Sequence, residues 1–124
     1  MPKKVKILVV DGSPLVAQRV KDLLSDWKDR VLIGEARNSE DALTALQTID
    51  FDFVLLDLPF KDSVNLLKVI KHKFPKTKVV MFTNHIETAY RTICMQLGAD
   101  YFIDKSSEFK ILEDQLLKEF AEEI

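Results

Sequence analysis

Cysteine is nearly absent from this 124-residue chain, with Cys94 the only one, and that excludes a disulfide framework and cysteine-built metal sites. Cys94 falls in a helical apolar pattern and reads as a reduced core residue rather than a reactive thiol, as expected of a cytoplasmic protein. An excess of one charge is also missing. Lys and Arg number 18 against 20 Asp and Glu, a formal net charge of −2, so neither a disordered tail nor a nucleic-acid-binding surface is indicated. Long apolar runs are lacking too: the basic start MPKK leads into Val5 to Val10, which meets Asp11 at once. That run is too short for a signal peptide or a membrane span. Linkers, repeats and low-complexity segments are absent, and the length suits one domain over residues 1–124, enough to bury roughly two-thirds of its unfolded surface.

What is present is a strict alternation of two patterns. Val5 to Val10 is a mostly apolar run rich in β-branched residues, as expected of a strand covered on both faces. Ser13 and Pro14 then open a helix with apolar residues at Leu15, Val16, Val20, Leu23, Leu24 and Trp27. Val31 to Ala36 predicts a second strand, followed by a helix capped by Asn38 or Ser39 and carrying Ala42, Leu46 and Ile49. Phe53 to Leu56 predicts a third strand that ends at Asp57. After a short polar loop come a helix with Leu66, Leu67, Ile70 and Phe74, the strand Val79 to Phe82, and a helix with Ile86, Tyr90, Ile93, Cys94 and Leu97. Gly98 suits a left-handed cap. Tyr101 to Ile103 and a helix with Phe109, Leu112, Leu116 and Phe120 close the chain. Five strand-helix units in alternation imply a parallel sheet with helices on both faces. In such sheets the ligand site lies beyond the carboxyl ends of the strands.

Asp11, Asp57, Thr83 and Lys105 each stand at or just past the end of a predicted strand. Taken singly, each has an ordinary structural reading: an Asp in a turn or cap, Thr83 capping the next helix, Lys105 as a solvated charge. Together they bring two acids, a hydroxyl and an ammonium to one small area. Paired carboxylates suit Mg²⁺, and a hydroxyl with an ammonium suits the oxygens of a phosphoryl group. A carboxylate also accepts such a group covalently, as an acyl phosphate.

The segments ILVVDGSPLV, GEARNSEDAL, FVLLDL, VVMFTNH and GADYFIDKS resemble, in order and nearly in spacing, the receiver domain of two-component response regulators. The likeness runs over essentially the whole chain. It implies a flavodoxin-like (CheY-like) three-layer α/β fold with a five-stranded parallel sheet of order 2-1-3-4-5. It also implies a phosphoacceptor rather than a conventional enzyme, with Asp57 accepting the phosphoryl group, Thr83 following that group and Lys105 as its cationic partner. Asp11 and Asp57 would hold Mg²⁺ with the backbone carbonyl of Pro59, and Phe102 falls where the family places the aromatic that changes rotamer on activation. The implied partners are a histidine kinase or phosphotransfer protein, or a small phosphodonor, and a downstream protein reached through the face around the fourth helix and fifth strand. A second copy of the domain is an alternative partner, with an apolar patch near Tyr90, Ile93 and Phe102 in support. No direct nucleic-acid or membrane contact is implied.

Several positions depart from the family pattern. Gly12 replaces the second of two adjacent acids, the one that commonly touches the metal. Losing one carboxylate forfeits attraction of roughly 4 kcal/mol per unit charge at 4 Å and an effective dielectric near 20, so Mg²⁺ binding is expected to weaken by about tenfold or more. The stretch after Asp57 is shortened, which displaces Pro59 and puts Asp62 on a loop from which it reaches toward the gap at Gly12, caps a helix or is simply exposed. Asn84 stands where a smaller residue is usual, and His85 occupies a position that tunes dephosphorylation in the family or is an ordinary exposed histidine. Ser106 replaces a proline, for which a trans bond and a shifted loop are expected. Two readings follow: a phosphorylatable receiver, or a pseudo-receiver acting as a phosphorylation-independent interaction module. A flavodoxin-like electron carrier or small phosphatase shares the fold class, but no phosphate loop rich in Ser, Thr and Gly follows the first strand.

Overall fold

Apolar residues alternate between two destinations along each central strand, and this alternation builds the molecule. In the computed structural model, which describes residues 4–123, Ile7 and Val9 of β1 (Val5–Asp11) pack to one side, and Leu8 and Val10 to the other. Phe53 and Leu55 of β3 (Phe53–Asp57) likewise oppose Val54 and Leu56. The remaining strands are β2 (Val31–Ala36), β4 (Lys78–Thr83) and β5 (Tyr101–Asp104), and the sheet is parallel throughout in the order β2-β1-β3-β4-β5. This is the expected order. The helices α1 (Pro14–Leu23) and α5 (Phe109–Glu123) contribute Val16, Val20, Leu112 and Leu116 to one core. The helices α2 (Ser39–Thr48), α3 (Phe60–Lys73) and α4 (Thr88–Gln96) contribute Leu46, Leu66, Ile70, Tyr90 and Cys94 to the other. No helix among the described residues is long and apolar enough to cross a membrane.

Local chemistry sets the helix ends. The Ser13 hydroxyl accepts the Leu15 N–H at 3.2 Å with Pro14 in the first turn, and Asn38 Oδ1 accepts the Asp41 N–H at 2.8 Å. Helix α4 closes in a Schellman motif: Ala99 N–H bonds Cys94 C=O at 3.1 Å, Gly98 N–H bonds Met95 C=O at 3.2 Å, and Gly98 has φ 102°.

Three expectations need correction. Helix α1 ends at Leu23, and Trp27 lies in a separate 3-10 turn, Ser25–Arg30, from which it still packs on the α1/α5 core. Leu15 is 69% exposed, because the helical turn that buries Val16 and Ala17 carries its neighbour outward. Ile86 precedes α4 and is exposed. The Phe120 side chain lies outside the described residues. The apolar patch around Tyr90 and Phe102 is mostly core: Tyr90 is buried, Phe102 packs against the same core, and Ile93 is left at the surface.

Candidate functional site

Parallel pairing puts Asp11 opposite Asp57, in register, at the carboxyl ends of β1 and β3. Lys105, just beyond β5, reaches across to both. Its Nζ donates to Asp11 Oδ2 at 2.6 Å and to Asp57 Oδ2 at 2.5 Å, and all three side chains are at least four-fifths buried. Burial alone would lower the Lys105 pKa, but its bonds to Asp11 and Asp57 outweigh that and hold the ammonium above the ordinary lysine value. Asp11 Oδ1 accepts the Ser13 N–H at 2.8 Å, so both Asp11 oxygens are engaged. Asp57 Oδ1 has no hydrogen-bond partner among the described residues.

Thr83 ends β4 and is fully buried. Its Oγ1 accepts the His85 N–H at 3.0 Å, which leaves the hydroxyl proton free to be donated. Its carbonyl accepts the Lys105 N–H at 2.9 Å, tying the lysine's backbone to the strand end. The lysine loop is held by a residue the sequence reading missed. Asp104 accepts the Ser106 N–H at 3.0 Å, the Ser106 hydroxyl at 2.8 Å and the Ser107 hydroxyl at 2.7 Å. The Ser107 and Ser106 bonds hold its carboxyl below the usual range. Serine at 106 thus supplies turn-forming bonds where proline would supply rigidity. No cis peptide occurs among the described residues.

Ser63 was also missed. On the buried face of α3, its Oγ accepts the Leu58 N–H and donates to the Leu58 carbonyl, both at 2.9 Å, which pins the backbone next to Asp57. The signal was available, since Ser63 shares the period of Leu66, Leu67 and Ile70. Phe102 stands edge-on to Tyr90, with ring centroids 5.8 Å apart, and Tyr90 in turn meets Phe60 at 5.0 Å. The Tyr90 hydroxyl is buried without a hydrogen-bond partner among the described residues. Burial is the main cause that pushes its pKa up to about 12, offset in part by the nearby Ser63 hydroxyl.

The donors meet the implied metal poorly. Position 12 has no side chain, although a Cβ there would meet nothing within 4 Å and the glycine has no positive φ. The Pro59 carbonyl, proposed as a ligand from sequence, accepts the Ser63 N–H at 2.9 Å as the first bond of α3. Asp62 is an exposed residue of the first turn of α3, not of a loop. No group of three or more His, Cys, Asp or Glu suited to a metal occurs among the described residues. Mg²⁺ takes a near-octahedral oxygen set, and here an ammonium already stands between the two carboxylates. Asn84 and His85 are exposed. With Leu58, Phe60, Glu87, Ala89 and Tyr90, His85 lines a cavity of about 290 Å³ beside the end of β3.

Comparison with known proteins identifies the family. The family model of the response regulator receiver domain matches residues 7–117. The response regulator protein VraR of Staphylococcus epidermidis is 30% identical over 121 residues, covering 96% of this chain and 58% of the relative. The protein-glutamate methylesterase/protein-glutamine glutaminase of Clostridium acetobutylicum is 29% identical over 123 residues, covering 94% of this chain and 36% of the relative. The chain thus spans less than two-thirds of either relative's length. A response regulator from Thermotoga maritima superposes with a TM-score of 0.83 at 28% identity, over 93% of this chain and 96% of that one. Receiver domains of this family are phosphoacceptors that generally bind Mg²⁺ at an acidic site and work with histidine kinases and downstream effectors. Strand order, strand-end residues and these likenesses concur: the chain belongs to the receiver domain family of two-component response regulators.

Proposed function

We propose that Asp57 accepts a phosphoryl group from a histidine kinase, a phosphotransfer protein or a small acyl phosphate, and that residues 1–124 act as one receiver unit controlling a downstream protein. The observation that carries this reading is the pairing of Asp57 Oδ2 with Lys105 Nζ at 2.5 Å while Oδ1 stays unbonded. Oδ1 attacks phosphorus, the bond from phosphorus to the donor atom breaks, and the electron pair leaves with the donor. Lys105 offsets charge on the oxygens in transfer, and the free Thr83 proton meets one of them.

The output follows from packing. Once Thr83 turns toward the phosphoryl group, the loop after β4 and the Tyr90–Phe102 contact readjust, and the α4-β5-α5 face changes. The shift is limited by how much better the active arrangement binds the phosphoryl group. Intact mass after incubation with acetyl phosphate, with and without Mg²⁺, tests the proposal. Wild type gains one phosphoryl group and Asp57→Asn gains none. Failure of wild type to gain mass in either medium contradicts the proposal and leaves the phosphorylation-independent module as the reading.

A further inference from the structure

We propose that Lys105 is the resident cation of this site, and that phosphorylation of Asp57 proceeds without a divalent metal. The inference rests on the reading of Asp57 as phosphoacceptor and changes what that chemistry requires. Lys105 Nζ touches the facing oxygens of Asp11 and Asp57 at 2.6 and 2.5 Å, so a cation already stands between the two acids that would hold a metal. A metal taking both Oδ2 atoms has to displace the ammonium from them, and Asp57 Oδ1 is the one carboxylate oxygen of the pair left without a partner among the described residues.

Beyond Asp57 Oδ1, little nearby rewards that exchange. Asp11 Oδ1 is held by the Ser13 N–H, the Pro59 carbonyl by the Ser63 N–H, and position 12 offers no oxygen beyond its backbone. Two carboxylates and one ammonium leave the site with a single net negative charge, a weak attraction for an ion that gives up its water reluctantly. The shortage lies in donors rather than space, because a side chain at position 12 meets no neighbour within 4 Å of its Cβ.

The ammonium has the bonds the reaction needs. Of its three N–H groups, two serve Asp11 and Asp57, and the third is left for an oxygen of the transferring group. With acetyl phosphate, Asp57 Oδ1 forms the new P–O bond, the bond from phosphorus to the acyl oxygen breaks, and acetate leaves with the electron pair. Three negative charges enter and three remain, and Lys105 keeps its protons throughout.

Two measurements test this. The first is the rate of phosphoryl gain on Asp57 from acetyl phosphate in EDTA and in excess Mg²⁺. The expected rates agree within about twofold, and Lys105→Met lowers both by about tenfold or more. A wild-type rate raised by about tenfold or more by Mg²⁺ overturns the inference while leaving the phosphoacceptor reading intact. Absence of phosphorylation in both media overturns the reading itself, and the inference with it. The second measurement, independent of phosphorylation, is Mn²⁺ binding followed by electron paramagnetic resonance. Wild type is expected to show no saturable site that depends on Asp57, and Gly12→Asp to gain one that Gly12→Asp with Asp57→Asn loses again. Saturable wild-type binding abolished by Asp57→Asn overturns the inference.

Discussion

Asp11 and Asp57 face one another in register on neighbouring parallel strands, and one ammonium, that of Lys105, holds both. The arrangement is an ion triad rather than an isolated pair, and it is largely buried. Removing its cation leaves two facing carboxylates uncompensated. Lys105→Met is therefore expected to cost about 3–5 kcal/mol in urea unfolding at neutral pH, and Asp57→Asn considerably less, since Asp11 still pairs with the lysine.

The same triad sets a pH dependence. The Lys105 pKa lies above its ordinary value of 10.5, so its contribution is fully present below that value and is lost as pH rises through the raised one. The difference in unfolding free energy between wild type and Lys105→Met should stay flat from neutral pH up to about pH 10 and shrink only at more alkaline pH. A difference that shrinks between pH 7 and 9 contradicts the assignment.

Ser63 anchors the backbone beside Asp57, the proposed acceptor, through its two bonds to Leu58. Ser63→Ala leaves a buried N–H and C=O without those bonds and is expected to cost about 1–3 kcal/mol. It should also slow phosphorylation of Asp57, while Ser63→Thr, which retains the hydroxyl, recovers part of the rate.

The glycines make opposite predictions. Gly12 has open space around a Cβ and no positive φ, so Gly12→Ala should leave stability unchanged or raise it by up to about 1 kcal/mol. Gly98 sits at φ 102° against the Lys71 side chain, and Gly98→Ala should cost about 1–3 kcal/mol. Thermal unfolding of the two variants distinguishes them.

Most of the architecture was legible because buried parallel strands and amphipathic helices write distinct periods into a sequence. Asp11, Asp57, Thr83 and Lys105 could be placed together because strand ends of a parallel sheet converge. Three features were illegible for physical reasons. The turn at Ser25–Arg30 preserves the apolar spacing that made Trp27 look helical. The start of α3 at Phe60 absorbed Pro59 and Asp62 into a helix end, which only the actual length of the loop reveals. The bond from Lys105 to Asp11 spans 94 residues, and nothing local in either segment encodes it.

The buried Tyr90 hydroxyl, without a partner among the described residues, gives one more expectation. Tyr90→Phe keeps the ring contacts with Phe60 and Phe102 and removes the unpaired group, so it should be neutral or stabilise by about 1 kcal/mol. Tyr90→Ala, which also removes the rings' partner, should cost about 3–5 kcal/mol.

The proposal places the phosphoryl group on the carboxylate of Asp57 and on no other. The most direct measurement is borohydride reduction of the acetyl-phosphate-treated protein followed by peptide mass mapping, since reduction converts an aspartyl phosphate to homoserine at the modified position. Homoserine is expected at residue 57 in wild type and is expected to be absent in Asp57→Asn. Homoserine at Asp11, Asp62 or Asp104 in place of Asp57, or at no position, contradicts it.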